Sequence, residues 1–384
     1  MKKLVIIGAS YLQLPLVKKA KELNIETHVF AWEDGAVARY TADYFYPISI
    51  VDKEVILIKC REIKPNGITS IASDLAMLTV NYIAKELNLI GNSLICSENA
   101  RNKYTMRKRF VENGIKCPKF IKVRENHNAN IEGMQFPLIV KPMDSSGSRG
   151  INKVDSIEEI DEAINNAVHY SLSREVIIEE FIKGEEVSVE IISYAGKHYY
   201  LTITDKETTG SPYFVETSHH QPSKFIQNLE KSIKDLTFRG LFALQIENGA
   251  SHTEIKITPN GELYIIEIGA RMGGDLIGSD LVQLSTGYDF VKGVVKIALG
   301  EFEKPQKYKN KFSGVYFICP KKKGIIQKII DTACDNTTIT HKELIVQIGD
   351  KVEPVRKSID RKGYYVYGST EKLEDKNLIK LVIE

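Results

Sequence analysis

The stretch HTEIKITPNGELYIIEIGAR, residues 252–271, limits the possible folds of this chain more than any other segment. Asn260–Gly261 is a strong hairpin turn signal, and the residues flanking it read as two antiparallel strands. Pairing across that turn brings Glu254 and Glu267 side by side at one end of the hairpin. Like charges directly opposite each other repel, so a pair held in register asks for a cation between them. A hard ion with oxygen ligands, Mg²⁺ above all, suits two carboxylates that share a substrate phosphate. The second strand then runs into Arg271 and Gly273–Gly274. The first is a planar guanidinium able to hold a transferring phosphoryl group or an oxyanion, and the glycines let backbone come close to it.

With 384 residues, 43% hydrophobic and 27% charged, the chain can bury a large core divided over two or three units. A net charge of +2 supplies no field that would favour nucleic acid or an anionic membrane, and Lys18–Lys19 and Lys321–Lys323 read as solvated faces. The apolar run in KKLVIIGAS falls short of the ~20 residues of a membrane span, and no cleavage pattern follows it. Cys60, Cys96, Cys117, Cys319 and Cys334 are widely spaced with no C-x-x-C pair, as expected of a reduced, cytoplasmic protein. The expected partners are small molecules, with neither nucleic acid nor membrane, and a homodimer is the commonest assembly for such a chain.

Residues 1–97 alternate short apolar runs (LVIIGA, ETHVFAW, GITSI) with helix-period segments, which predicts a parallel sheet covered on both faces, a Rossmann-like unit. After Gly8 the chain reads ASYLQL, without the G-x-G-x-x-G of a dinucleotide site, so Gly8 is expected only to make a tight turn. Trp32, Tyr44, Phe45 and Tyr46 are expected to pack this unit. In residues 98–120, SENARNKYTMRKRFVENG has a helix start at Ser97 and a stop at Gly114. Residues 121–195 read as a small α+β unit, in which REVIIEEFIKGEEVSVEIISYAG forms two strands around a Lys–Gly turn. Residues 196–300 carry long strands and two glycine-rich loops, and residues 301–384 hold no readable motif.

Within the small unit, SSGSRG (145–150) follows a strand bearing Lys141. Its small residues, Ser145, Ser146, Gly147 and Ser148, let successive N–H groups face one concavity, as phosphate-binding loops do, although the loop taken alone also reads as a plain hairpin connection. It is not a P-loop, since no Lys–Ser or Lys–Thr follows a glycine there. Lys103, on the preceding helix, could supply a second cation. Glu179, Glu180, Phe181 and Ile182 could face a nucleobase and Glu186 a ribose, or they could decorate an exposed hairpin.

Taken together and in order over residues 1–300, these features resemble the ATP-grasp superfamily of carboxylate–amine ligases, in its L-amino acid ligase-like and carbamoyl-phosphate-synthase-like branches. The resemblance implies an ATP-grasp fold, α/β and α+β: a Rossmann-like pre-domain, a small lid and a large antiparallel catalytic unit, completed by residues 301–384. It implies ATP with Mg²⁺, or Mn²⁺ in its place. Lys103, Lys141 and the Ser145–Ser148 loop would meet phosphates, Glu179–Ile182 the adenine and Glu186 the ribose. Glu254 and Glu267 would bind two metal ions, and Arg271 would stabilise an acyl phosphate and the tetrahedral intermediate. YFVETSHHQP (213–222) resembles the family's substrate loop, which makes His219 a second catalytic candidate; His220 has no such match. Many relatives carry Asn two residues after the second Glu, where this chain has Gly269. The implied reaction joins a small carboxylate to an amine. A bicarbonate-activating carboxylase and a non-catalytic nucleotide-binding protein are the alternatives, and the absence of a Met-Lys-Met carrier signature speaks against biotin dependence.

Overall fold

The computed structural model describes residues 1–124, 129–145, 147, 149–306, 311–333, 336–374 and 376–384. Its first unit is a parallel sheet of β1 (Lys3–Ile7), β2 (Glu26–Phe30), β3 (Tyr44–Tyr46) and β4 (Gly67–Thr69) in the order β3-β2-β1-β4. Leu4, Val5, Ile6 and Ile7 are all fully buried, as a strand covered on both faces requires. The covering helices include α1 (Leu14–Glu22), α2 (Lys53–Ile63) and α3 (Asp74–Glu86), the last capped by Ser73, whose hydroxyl accepts from Ala76 N at 3.2 Å. The aromatic expectation is half right. Phe45 and Tyr46 pack against the core, whereas Trp32, past the end of β2, and Tyr44, the first residue of β3, are half exposed.

The single helix read from Ser97 is two. Ser93 caps α4 (Leu94–Arg101), and Asn102 caps α5 (Lys103–Glu112) by accepting from Thr105 N at 3.0 Å. An asparagine that satisfies a backbone donor favours a cap over a helix interior. Lys103 thereby begins a helix rather than sitting in the middle of one.

The small antiparallel sheet is β5 (Phe120–Arg124), β6 (Leu138–Pro142), β7 (Asn152–Val154) and β8 (Glu175–Glu180), ordered β5-β8-β6-β7. One face buries Val123, Leu138, Val140 and Ile178 against α6 (Ile160–His169). It ends at Glu180, earlier than the sequence-based boundary at 195. The next strand, β9 (Glu185–Tyr194), lies in the large sheet between β10 (Lys197–Thr208) and β12 (Gly249–Ile257). Lys183–Gly184 therefore crosses from one sheet to the other and is not a hairpin turn. Glycine is required there, because a Cβ on Gly184 would sit 2.2 Å from the Ile257 carbonyl oxygen.

The large sheet is completed by β11 (Glu216–Gln221), β13 (Leu263–Gly269), β14 (Phe312–Phe317), β16 (Ile339–Leu344) and β18 (Gly363–Ser369), in the order β13-β12-β9-β10-β11-β14-β18-β16. A separate small sheet pairs β15 (Gly324–Asp331) with β17 (Lys351–Val352) and β19 (Ile379–Ile383). Residues 301–384 thus extend the large sheet and add a second, smaller one.

Alternation along the central strands decides where chemistry can sit. Val187, Val189, Ile191, Ile203, Ile255 and Ile257 face α7 (Ile226–Leu244) and form one core. By the two-residue period, Glu186, Ser188 and Glu190 on β9, Lys206 on β10, and His252, Glu254 and Lys256 on β12 face the other way, as a polar floor. After β13 come a π-helical turn (Ile277–Leu281), α8 (Val282–Thr286) and α9 (Phe290–Ala298), which packs beneath the first unit. Among the described residues, no helix is long and apolar enough to cross a membrane.

Candidate active site

One cleft of about 570 Å³ lies over that floor. Its walls come from every unit: Tyr11, Leu12 and Asp74 from the first, Lys141 and Phe181 from the small sheet, Glu254 and Glu267 from the large one, and Arg361 from the C-terminal part. Tyr11 and Leu12 follow β1, and Asp74 follows β4. These neighbouring strands mark the point where strand order reverses, the usual crevice of an open parallel sheet. Gly8, at φ +100°, makes the tight turn expected of it. The turn leads into a wall of this cleft.

The hairpin pairs its glutamates as read, though through a longer loop (258–262) and a bulge between Glu254 and Ile255. Glu254 and Glu267 are register partners across the turn, and their charge is held by lysines. Lys206 Nζ lies 2.6 Å from Glu254 Oε1 and 2.7 Å from Glu186 Oε1, while Lys103 Nζ lies 3.2 Å from Glu267 Oε1. Burial works against the Glu254 carboxylate, yet the Lys206 ammonium holds it well below the usual range, and Lys206 is raised well above its own. These ionised oxygens fit a hard divalent ion. Among the described residues no group of three His, Cys, Asp or Glu side chains forms a complete cage, so substrate oxygens and water would have to fill such an ion's shell.

On the opposite wall Lys141 Nζ is 2.7 Å from Glu179 Oε2. Arg107 Nε lies 2.6 Å from the other Glu179 oxygen, off the line of a hydrogen bond. Burial pushes the Lys141 ammonium below the usual lysine range, against the upward pull of Glu179. Glu179 is 3% exposed, so its carboxylate is spent on orienting Lys141 instead of facing a ligand. The N–H groups of Glu180 and Phe181 are likewise taken, by the carbonyls of Lys119 and Pro137 at 3.0 Å each. Phe181 lies across from Phe214, ring centroids 6.2 Å apart, and Ile182 continues that apolar wall. Glu186 lies beneath, paired also with Lys256 at 3.1 Å. In the small-residue loop, Ser145 and Gly147 line the cleft and the Ser145 carbonyl accepts from Lys103 Nζ at 2.8 Å; Ser146 and Ser148 lie outside the described residues.

Arg271 is held edge-on by Asp74, Nε and Nη2 donating to its two oxygens at 3.0 and 3.1 Å. This explains Gly269. A Cβ there would stand 2.9 Å from the Arg271 guanidinium carbon and 3.0 Å from Asp74 Oδ1, so the pair fills the space an asparagine would need. Gly273 is needed for the same kind of reason, a Cβ there meeting His252 Nδ1 at 2.7 Å, whereas Gly274 has ordinary room. His219 is 1% exposed, edge-on to Phe317, with Nε2 3.9 Å from Asp275; its buried Nδ1 has no hydrogen-bond partner among the described residues. His220 is structural, bonded to Tyr367 and Ser218 at 3.0 Å each, and burial lowers it to about 3.

Sequence reasoning missed Asp74, Lys206, His252, Asp275 and Arg361. Lys206 and His252 carried a usable signal, ionisable residues alternating with apolar ones inside strands that bury their other face. The remaining three reach the site only through tertiary contact.

Residues 134–280 match the ATP-grasp domain family model. The alanine–anticapsin ligase of Bacillus subtilis is 29% identical over 286 residues, 63% of this chain and 60% of that enzyme. A D-alanine–D-alanine ligase from Trichlorobacter lovleyi is 24% identical over 220 residues, 54% of this chain and 68% of that one. The chain spans about half to three fifths of the length of the anticapsin-ligase relatives it matches. Among solved structures, an L-amino acid ligase from Bacillus licheniformis superposes with a TM-score of 0.85 at 23% identity, covering 100% of this chain and 99% of that one. A phosphoribosylglycinamide synthetase from Anaerococcus prevotii does so at 0.78 and 23%, covering 100% of both. Residues 134–280 thus match the ATP-grasp domain model, within a fold that the chain shares over its whole length with these two solved structures.

Proposed function

We propose that this chain is an ATP-dependent carboxylate–amine ligase acting on amino-acid-type substrates in the cytoplasm. The registered Glu254–Glu267 pair, with Arg271 beyond it and Lys103 and Lys141 across one cleft, carries the reading. A substrate carboxylate oxygen would attack the γ-phosphorus of ATP, breaking the bond to ADP and giving an acyl phosphate. An amine would then attack the acyl carbon, and phosphate would leave as the amine loses a proton. Mg²⁺ held by Glu254 and Glu267 would neutralise the β- and γ-phosphates.

The chain's own contribution is positioning and charge. Lys103 exchanges Glu267 for phosphate oxygens, and Lys141, kept in orientation by Glu179, adds its charge beside them. Phe181, Ile182 and Phe214 cover the base, Glu186 accepts from the ribose, and the loop around Gly147 shields the acyl phosphate from water. Arg271, fixed by Asp74, faces the developing oxyanion, and His219, which lines the cleft, would donate to a substrate carboxylate. The relatives named alanine–anticapsin ligase and D-alanine–D-alanine ligase support an amino acid as the activated acid. The lack of a disulfide among Cys60, Cys96, Cys117 and Cys319 is compatible with the cytoplasmic setting.

The test is phosphate release from Mg-ATP across free amino acids and small carboxylates, singly and in pairs, with bicarbonate and ammonia included. Stimulation by a pair, with the coupled product seen by mass spectrometry, is the expected result. Stimulation by bicarbonate alone would indicate a carboxylase, and ATP binding without turnover under any pair would contradict the ligase.

A further inference from the structure

The turn after Arg271 stands in an unfavourable conformation. Asp275 and Leu276 are consecutive non-glycine residues with positive φ, +48° and +67°. A side chain pays for the left-handed region, and a leucine there is uncommon, so something must hold it. Leu276 is tied on its far side, where its carbonyl accepts from Asp280 N and Leu281 N at 3.0 Å each as the π-helical turn begins. Asp275 is tied by Arg361, whose Nη1 and Nη2 donate to both carboxylate oxygens at 2.8 Å.

Arg361 is itself fixed. Its Nε donates to the Ser358 carbonyl at 2.9 Å, its guanidinium lies 3.8 Å above the Phe317 ring, and it is only 8% exposed. The strap that carries it also reaches the floor, since Ser358 Oγ donates to Glu216 at 3.3 Å. Arg361 thus comes from the C-terminal part, where the sequence offered no motif, and grips the turn joining Arg271 to the π-helix.

We propose that Arg361 is a positioning residue: through Asp275 it holds the strained turn 273–276, and so sets Arg271 for acyl transfer. The claim rests on the ligase reading only for its catalytic consequence. A planar fork is needed, because one ammonium cannot hold both Asp275 oxygens in place.

The test compares the full-length wild type with Arg361→Ala, Arg361→Lys and the double variant Arg361→Ala/Asp275→Gly, by crystal structure, by ATP titration calorimetry and by turnover with the acid–amine pair that supports it. In Arg361→Ala, Asp275 and Leu276 should leave the positive-φ region. The kcat should fall by roughly tenfold or more while the Kd for ATP stays within about twofold. Arg361→Lys, which keeps the charge and most of the packing, should resemble the alanine variant. Glycine at 275 adopts the turn without an anchor, so the double variant should regain most of the lost kcat. An unchanged turn in Arg361→Ala, unchanged kcat, or a loss that Asp275→Gly does not repair would each overturn the proposal. Failure of the wild type to form an amide with any pair would count against the ligase reading alone, because the crystal structure of the variant still decides whether Arg361 holds the turn.

Discussion

Gly269 and Arg271 show how closely single residues are coupled at this site. The space a side chain at 269 would occupy is filled by the Arg271–Asp74 pair. Gly269→Ala should push the guanidinium aside and lower turnover by roughly 10²-fold, since catalysis of this kind loses that much for ~1 Å of displacement. Removing the guanidinium should cost more. Arg271→Ala should leave ATP affinity near normal and reduce kcat by about 10²–10³-fold, and wild-type turnover in that variant would contradict its role. His252 gives a pH test. Burial pushes it down, but the Glu190 carboxylate 2.5 Å away raises it to about 9. The folded value lies above the unfolded one near 6.5, so the pair's stabilisation is complete below about pH 6.5 and is lost as pH rises through about 9. Urea unfolding at pH 6 and pH 9 should therefore show a larger loss for the ligand-free wild type than for His252→Gln.

Among the elements, the legible part is what is local. The hairpin 252–271 is readable because its turn residues mark it locally, although the loop spans residues 258–262 and a bulge between Glu254 and Ile255 sets the two glutamates opposite each other. The parallel unit is readable because fully buried strands are continuously apolar. The boundary after β8 is not readable: the alternating β9 looks alike in either sheet, and only pairing with β10 and β12 assigns it. Glu179 illustrates the same limit. Its sequence position points to the adenine, while its carboxylate joins β6 to α5 through Lys141 and Arg107. Glu179→Ala should strand two buried cations and destabilise the protein by about 3–5 kcal/mol in urea unfolding. An effect confined to ATP affinity, with stability unchanged, would show that the carboxylate serves the ligand directly.

Over the whole molecule, the cleft exists only where all units meet: the switch point of the first sheet, the Lys141-bearing wall of the small one, the polar floor of the large one, and Arg361 from the last eighty residues. Asp74 is 197 positions from Arg271 and Arg361 is 86 from Asp275, separations at which no spacing rule operates. The central claim is that ATP activates a carboxylate as an acyl phosphate in this cleft. Its most direct test uses the carboxylate substrate labelled with heavy oxygen in both carboxyl positions, turned over with ATP and the amine, followed by mass analysis of the released phosphate. Transfer of one labelled oxygen per phosphate is the predicted result. Phosphate free of label, with amide still formed, would contradict it.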